Sequence, residues 1–277
     1  MNRRADFSVM VDFKGSHYPK DVILYAVFFY VRYAVSYRDL EEIMAERSVA
    51  VDHATLNRWV VKYSLLIACK AQRRKSATSS SWQMDETCIQ VKGRWTYFYR
   101  AVDKFGKTLN FMLSAHRDEA AASAFFARMI ENNGWPEKVV IDKSGTNLAG
   151  LQNMSWMLLL QGWFWLIEIL QVKYLNNVIE QDHRFIKKLS RPMKGFKSFQ
   201  SASATLDGIE VAHMIRKRQF STNGQSALKQ FHRARCISVP SDSRFYDLPK
   251  SLRQNQQPSP LRLYCSQQVG ERSARRG

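Results

Sequence analysis

Paired cysteines, a secretion signal, internal repeats and a full membrane span are all missing from this chain. Its four cysteines, Cys69, Cys88, Cys236 and Cys265, form no C-x-x-C pair, which argues against a disulfide framework or a zinc knuckle and fits a reducing, cytoplasmic setting. The opening MNRRADFSVMVDF lacks the apolar stretch of a signal peptide. The run WMLLLQGWFWLIEIL at 156–170 is interrupted by Gln161 and Glu168 and falls short of the roughly 20 apolar residues that a span needs, so it reads as buried core. No fixed period recurs. Acidic residues are scarce: 24 Asp and Glu face 42 Lys and Arg, a net charge of +18. Such an excess is costly in self-repulsion unless a polyanion uses it, and nucleic acid is the leading partner. The imbalance is deepest from His183 to Ser241, where twelve Lys or Arg meet only Asp207 and Glu210, so this segment reads as a track of phosphate contacts.

What is present is enough for a folded protein. In 277 residues, 45% hydrophobic, there is room for one large domain or two modest ones, each with a real core. The chain reads as helical up to about residue 75. A mostly apolar helix, DVILYAVFFYVRYAV (21–35), starts after Pro19. Ser36, with Asp39 three residues on, is a capping signal for YRDLEEIMAER (37–47), and Asp52 caps HATLNRWVVKY (53–63). Two capped helices joined by the turn SVAV make a helix-turn-helix candidate. Its last helix would present Thr55, Asn57, Arg58 and Lys62 to a major groove while Leu56, Trp59 and Val60 pack inward. An ordinary three-helix bundle fits the same pattern. The stretch AQRRKSATSSS (71–81), basic and then rich in Ser and Thr, reads as the linker.

From Trp82 the pattern turns to strands. WQMDETCIQV, RWTYFYRAV and TLNFMLSA are rich in aromatic and β-branched residues and are separated by KGR and DKFGK, which predicts an antiparallel meander. A helix over 118–134, a short strand KVVID, a helix in the apolar run, a strand IEILQV (167–172) and a helix capped by Asn176 or Asn177 follow. That order predicts a mixed sheet covered by helices, an α/β or α+β core.

Three acids sit where chemistry is plausible: Asp85 in the first strand, Asp142 at the end of KVVID, and Glu180 on the helix of YLNNVIEQDHRFIKK (174–188). A carboxylate in an apolar strand is expensive unless paired or bound to metal. Brought together, three carboxylates suit Mg²⁺ or Mn²⁺ and leave room for phosphate oxygens, and two such ions can activate the attacking oxygen and stabilise the leaving one. Each acid alone is equally readable as a cap or as a partner of a nearby Lys. On the last helix Val178, Ile179, Phe185, Ile186 and Leu189 share an apolar face, whereas Glu180, His183, Arg184 and Lys187 follow another stripe. Asp182 falls nearer the apolar side and takes a structural role. Glu180 is then the better ligand, with Arg184, Lys187 and Lys188 as phosphate contacts. Alternatively Glu180 and Arg184 form an i, i+4 ion pair.

Long blocks of this sequence, in order, resemble the bacterial DDE-class insertion-sequence transposases, in the branch called the insertion-sequence-six family. They include FKGSHYPKDVIL, VRYAVSYRDLEEIMAERSVAVDHATLNRWV, MDETCIQVKGRWTYFYRAVDKFGKTLNF, IDKSGTN, YLNNVIEQDHRFIKK and RPMKGFKSFQSA, and they span roughly residues 13–220. The resemblance implies a helix-turn-helix DNA-binding domain (1–75) and a ribonuclease-H-like mixed-sheet catalytic domain (76–235); the basic remainder (236–277), outside the resemblance, reads as a disordered tail. It assigns the metal-binding catalytic triad to Asp85, Asp142 and Glu180, and the basic residue two turns after the Glu to Lys187. It further implies two Mg²⁺ ions, with Mn²⁺ as a substitute, and double-stranded DNA as partner: the terminal inverted repeats of the element and a target. Cleavage at the element ends is followed by attack of the freed 3′-hydroxyl on target DNA, carried out by a homo-oligomer on paired ends, at the nucleoid and away from any membrane. This sequence departs from the family pattern in Cys88, where the family has Tyr, in a longer interval between Asp142 and Glu180, and in the chain after about Phe245. The alternative is a degenerate copy that only binds DNA.

Overall fold

The computed structural model describes residues 17–142, 167–171, 177–191, 193, 196–220 and 224–233. The expected helix of the apolar run and the tail 236–277 lie outside the described residues. Three helices come first: α1 (Lys20–Arg32), α2 (Tyr37–Glu46) and α3 (His53–Arg74). Both expected caps form. Ser36 and Asp39 bond reciprocally as a capping box, and Asp52 accepts from the Thr55 N–H at 2.8 Å. The chain then lays down β1 (Ser81–Val91), β2 (Arg94–Asp103), β3 (Thr108–Ser114), α4 (Glu119–Asn133), β4 (Lys138–Ile141), β5 (Glu168–Gln171), α5 (Asn177–Ser190), α6 (Phe199–Arg216) and α7 (Ala227–Arg233).

One sheet of order β3-β2-β1-β4-β5 results. The meander β1–β2–β3 is antiparallel, while β4 and β5 run parallel to β1. This is the mixed sheet that the ribonuclease-H-like expectation requires. The β1–β2 turn is tight because Lys92 (φ 50°) and Gly93 (φ 74°) both take the left-handed conformation that two-residue hairpins demand.

Each sheet face covers its own core. On one side Trp82, Met84, Tyr99 and Ala101 pack under α4 through Ala122, Phe125, Phe126 and Met129. On the other, Ile89, Val91, Phe98, Phe111 and Leu113 join one cluster with α1, α3, α5 and α6. That cluster crosses residue 75, so the N-terminal helices share a core with the sheet.

Two elements differ from the pattern. The expected linker begins late, because α3 runs on to Arg74 with Ala68 and Ala71 buried. The basic segment after His183 is divided: α6 carries no Lys or Arg before Arg216 and is buried from Ala204 to Ile215. The phosphate track expected across that whole stretch is therefore corrected, since its middle is core.

Candidate active site

Asp85 sits in the middle of β1, half-buried. Its cross-strand partner is Arg100, and directly opposite residues in an antiparallel pair point to the same face, here the face under α5. The parallel register pairs Met84 with Ile141, so Asp142 follows its strand at the level where Asp85 follows Met84. Asp142 is exposed. Glu180, in the first turn of α5, is exposed too, and α5 packs across β1 and β2. One turn further along α5, the buried His183 brings Nδ1 to 3.5 Å from Asp85 Oδ2.

The electrostatics record this convergence. Burial first, then repulsion from Glu86, Asp142 and Glu180, pushes the Asp85 carboxyl up to about 7, although it accepts from the Glu86 N–H at 2.8 Å. Burial, aided by the positive charges of Arg100 and Lys187, pushes the His183 imidazole down to about 3, so it faces Asp85 neutral. Among the described residues no three His, Cys, Asp or Glu side chains are gathered closely enough to chelate an ion as they stand. The acids approach one another without closing into a cage. Their chemistry fits a hard divalent cation: the donors are carboxylate oxygens, and the charge that repels Asp85 is what a cation would neutralise.

The expected phosphate contacts lie on the open side of α5. Arg184, Lys187 and Lys188 are all exposed. Among the described residues Glu180 and Arg184 form no ion pair, so the bland reading of that spacing is not realised.

Asp182 has the structural role expected of it, inside a cluster that sequence reasoning missed. Arg100 grips Glu210 of α6 with two bonds (Nε to Oε1 2.5 Å, Nη2 to Oε2 3.2 Å) and donates to Asp182 at 3.3 Å. Asp182 also meets His213 Nε2 at 3.1 Å and the Lys217 ammonium. Burial opposes ionisation of Asp182, but the His213 hydrogen bond and the charges of Arg100 and Lys217 outweigh it and hold its carboxyl well below the usual range. The cluster ties β2, α5 and α6 together beneath Glu180 and His183. Its one sequence signal was an Arg flanked by apolar residues in β2 and a Glu in an otherwise apolar helix. His183 was seen on the Glu180 stripe, but only the fold brings it to Asp85.

The N-terminal candidates are distant in sequence and arranged as expected on α3. Leu56, Trp59 and Val60 are buried, Arg58 and Lys62 exposed, and Thr55 and Asn57 half-buried. Thr55 donates to Asp52 at 2.7 Å and accepts from Arg58 at 2.7 Å, so both side chains are engaged at the helix start.

Residues 79–219 match the family described as a DDE domain, which gives the class. Over 206 residues the chain is 37% identical to the transposase for insertion sequence-like element IS431mec of Staphylococcus aureus, covering 74% of this chain and 89% of that one. The same identity and coverage hold for the transposase for insertion sequence element IS257 in transposon Tn4003, also of Staphylococcus aureus. The chain belongs to the DDE transposases of the insertion-sequence-six family. Among solved structures it is similar to the HTLV-2 integrase catalytic core domain in complex with magnesium in its trimeric form (TM-score 0.38, 14% identity, 57% of this chain and 99% of that chain). It is also similar to the catalytic core domain of BIV integrase (TM-score 0.38, 16% identity, 56% and 95%). Both likenesses are too loose to bear on the chemistry.

Proposed function

We propose that this chain is a DNA transposase that binds the terminal inverted repeats of its insertion sequence, cleaves DNA at the element ends and joins the freed 3′-hydroxyl to target DNA. The observation that carries the reading is the approach of Asp85, Asp142 and Glu180 from β1, the end of β4 and α5, with repulsion felt at Asp85. These three residues would hold a divalent cation, Mg²⁺ or Mn²⁺, with two ions the working expectation. When bound, such ions activate the attacking oxygen and stabilise the leaving one. The chain's own residues supply the rest. His183 stands beside the Asp85 carboxylate, and the buried Asp182–Arg100 contact anchors α5, which carries Glu180, on β2. Arg184, Lys187 and Lys188 hold phosphates beside the cut.

Residues 1–75 act as the reader, with α2 and α3 as a helix-turn-helix and Thr55, Asn57, Arg58 and Lys62 as its DNA contacts. Residues 76–235 act as the catalytic unit. Two or more copies work on paired ends, in the cytoplasm at the nucleoid. Among the described residues no helix is long and apolar enough to cross a membrane.

Strand transfer is tested with a pre-cut element end and a supercoiled plasmid in Mg²⁺. An end with a 3′-hydroxyl is expected to become joined to the plasmid, and the same end with a 3′-deoxy terminus is not. Equal joining of both ends, or joining of neither while the end is bound, would overturn the proposal.

A further inference from the structure

We propose that the β1–β2 hairpin tip is a second DNA-contact surface, which holds the duplex about seven base pairs from the scissile phosphate. This rests on the reading of the chain as a DNA transposase.

The placement follows from the topology. Glu180, Arg184 and Lys187 recur every three or four residues, so they form one stripe along α5, and Arg191 follows at its end. The chain leaving α5 returns to the end of β1: Phe196 bridges to Val91 in parallel, and the Lys92 N–H donates to the Phe196 carbonyl at 2.8 Å. The helix therefore runs alongside β1, from the level of Asp85 towards the hairpin. Lys92 lies seven residues beyond Asp85, about 23 Å at roughly 3.3 Å per residue, which is the length of about seven base pairs.

The tip is built for a polyanion. Lys92, Arg94 and Lys197 are exposed there and, among the described residues, none of them is ion-paired. Lys92 and Arg94 line an open groove of about 490 Å³ together with Val91, Thr96 and Phe199. Phe199, 37% exposed, offers an apolar face to deoxyribose or base edges on the side of the groove, and Trp95, 63% exposed, stands on the opposite face of the hairpin. Lys92 keeps its long side chain at a left-handed turn position where Asn or Gly is the relaxed choice. A second copy docking through the same patch would set like charges against each other, which disfavours a symmetric protein contact and favours DNA.

The test uses the full chain, a duplex carrying the element's own end with its flank, and no divalent metal. Affinity is measured against salt and the bound duplex is footprinted with hydroxyl radicals. For Lys92→Gln with Arg94→Gln, the slope of log affinity against log salt should become shallower by about 1.8, and protection about seven base pairs from the cut should disappear. An unchanged slope and footprint would overturn the inference. A wild-type chain that leaves the ends unprotected overturns the transposase reading itself, whereas normal protection without the distal segment overturns this inference alone.

Discussion

Asp207 and Asp182 are buried carboxylates that behave oppositely. Asp207 lies on α6 with its Oδ2 unbonded among the described residues, and burial pushes it up to about 7 despite the charge of Arg128. A folded pKa above the unfolded value of about 4 means that stability is full below pH 4 and is lost as the pH rises through 7. Asp207→Asn should therefore unfold like wild type near pH 4 and be more stable at pH 8, by on the order of 2–4 kcal/mol, read from denaturant midpoints. Asp182 is held low instead, so its contribution is present above pH 4 and fails only in strong acid. Arg100→Leu removes the cation between Asp182 and Glu210. It should cost about 3–5 kcal/mol in the same measurement, because the buried Glu210 loses the guanidinium that grips it, while Asp182 keeps His213 and Lys217. At this scale Glu180 could be preferred to Asp182 from helical spacing alone. Arg100, Glu210 and His213 could not be grouped, because their partners are up to 110 residues away and only the fold joins them.

Elements were most legible where local chemistry sets their ends. Ser36, Asp39 and Asp52 mark helix starts by bonding within three residues, and the meander followed from β-rich runs cut by KGR and DKFGK. Asp52→Ala should lower stability, seen as a lower denaturant midpoint, because it frees the Thr55 N–H and removes the acceptor of the Thr55 hydroxyl. α6 was less legible. Its Thr205, Asp207, Glu210 and His213 look like a solvent face, yet all are buried because other side chains and helices cover them. Gly208 is the point of closest approach: a Cβ there would come within 2.6 Å of Ser64 Oγ and 2.8 Å of Val31 Cγ1. Gly208→Ala should therefore destabilise the packing of α6 on α1 and α3 by about 1–3 kcal/mol, even though Ala is the better helix former. A lower melting temperature for this variant checks it.

Across the whole molecule, the charge of +18 has a structural logic. Cations are kept out of α6 before Arg216, and α5 presents Arg184, Lys187 and Lys188 to the open side next to Glu180. The mixed sheet was predictable from element order. The sharing of one core by the N-terminal helices and the sheet was not, because composition changes at the linker while packing continues through it. The central claim is that Asp85, Asp142 and Glu180 act together on DNA through a divalent cation. It is tested most directly by comparing wild type with Glu180→Gln for Mg²⁺-dependent nicking of a duplex carrying the element's own end, at protein concentrations that saturate both. Wild type should nick at the end and lose that activity in EDTA. Glu180→Gln should bind equally and nick at a rate reduced by more than the roughly 10–100-fold that loss of an outer-sphere partner costs. Nicking undiminished in Glu180→Gln, or binding by wild type without any nicking in Mg²⁺, would contradict the claim.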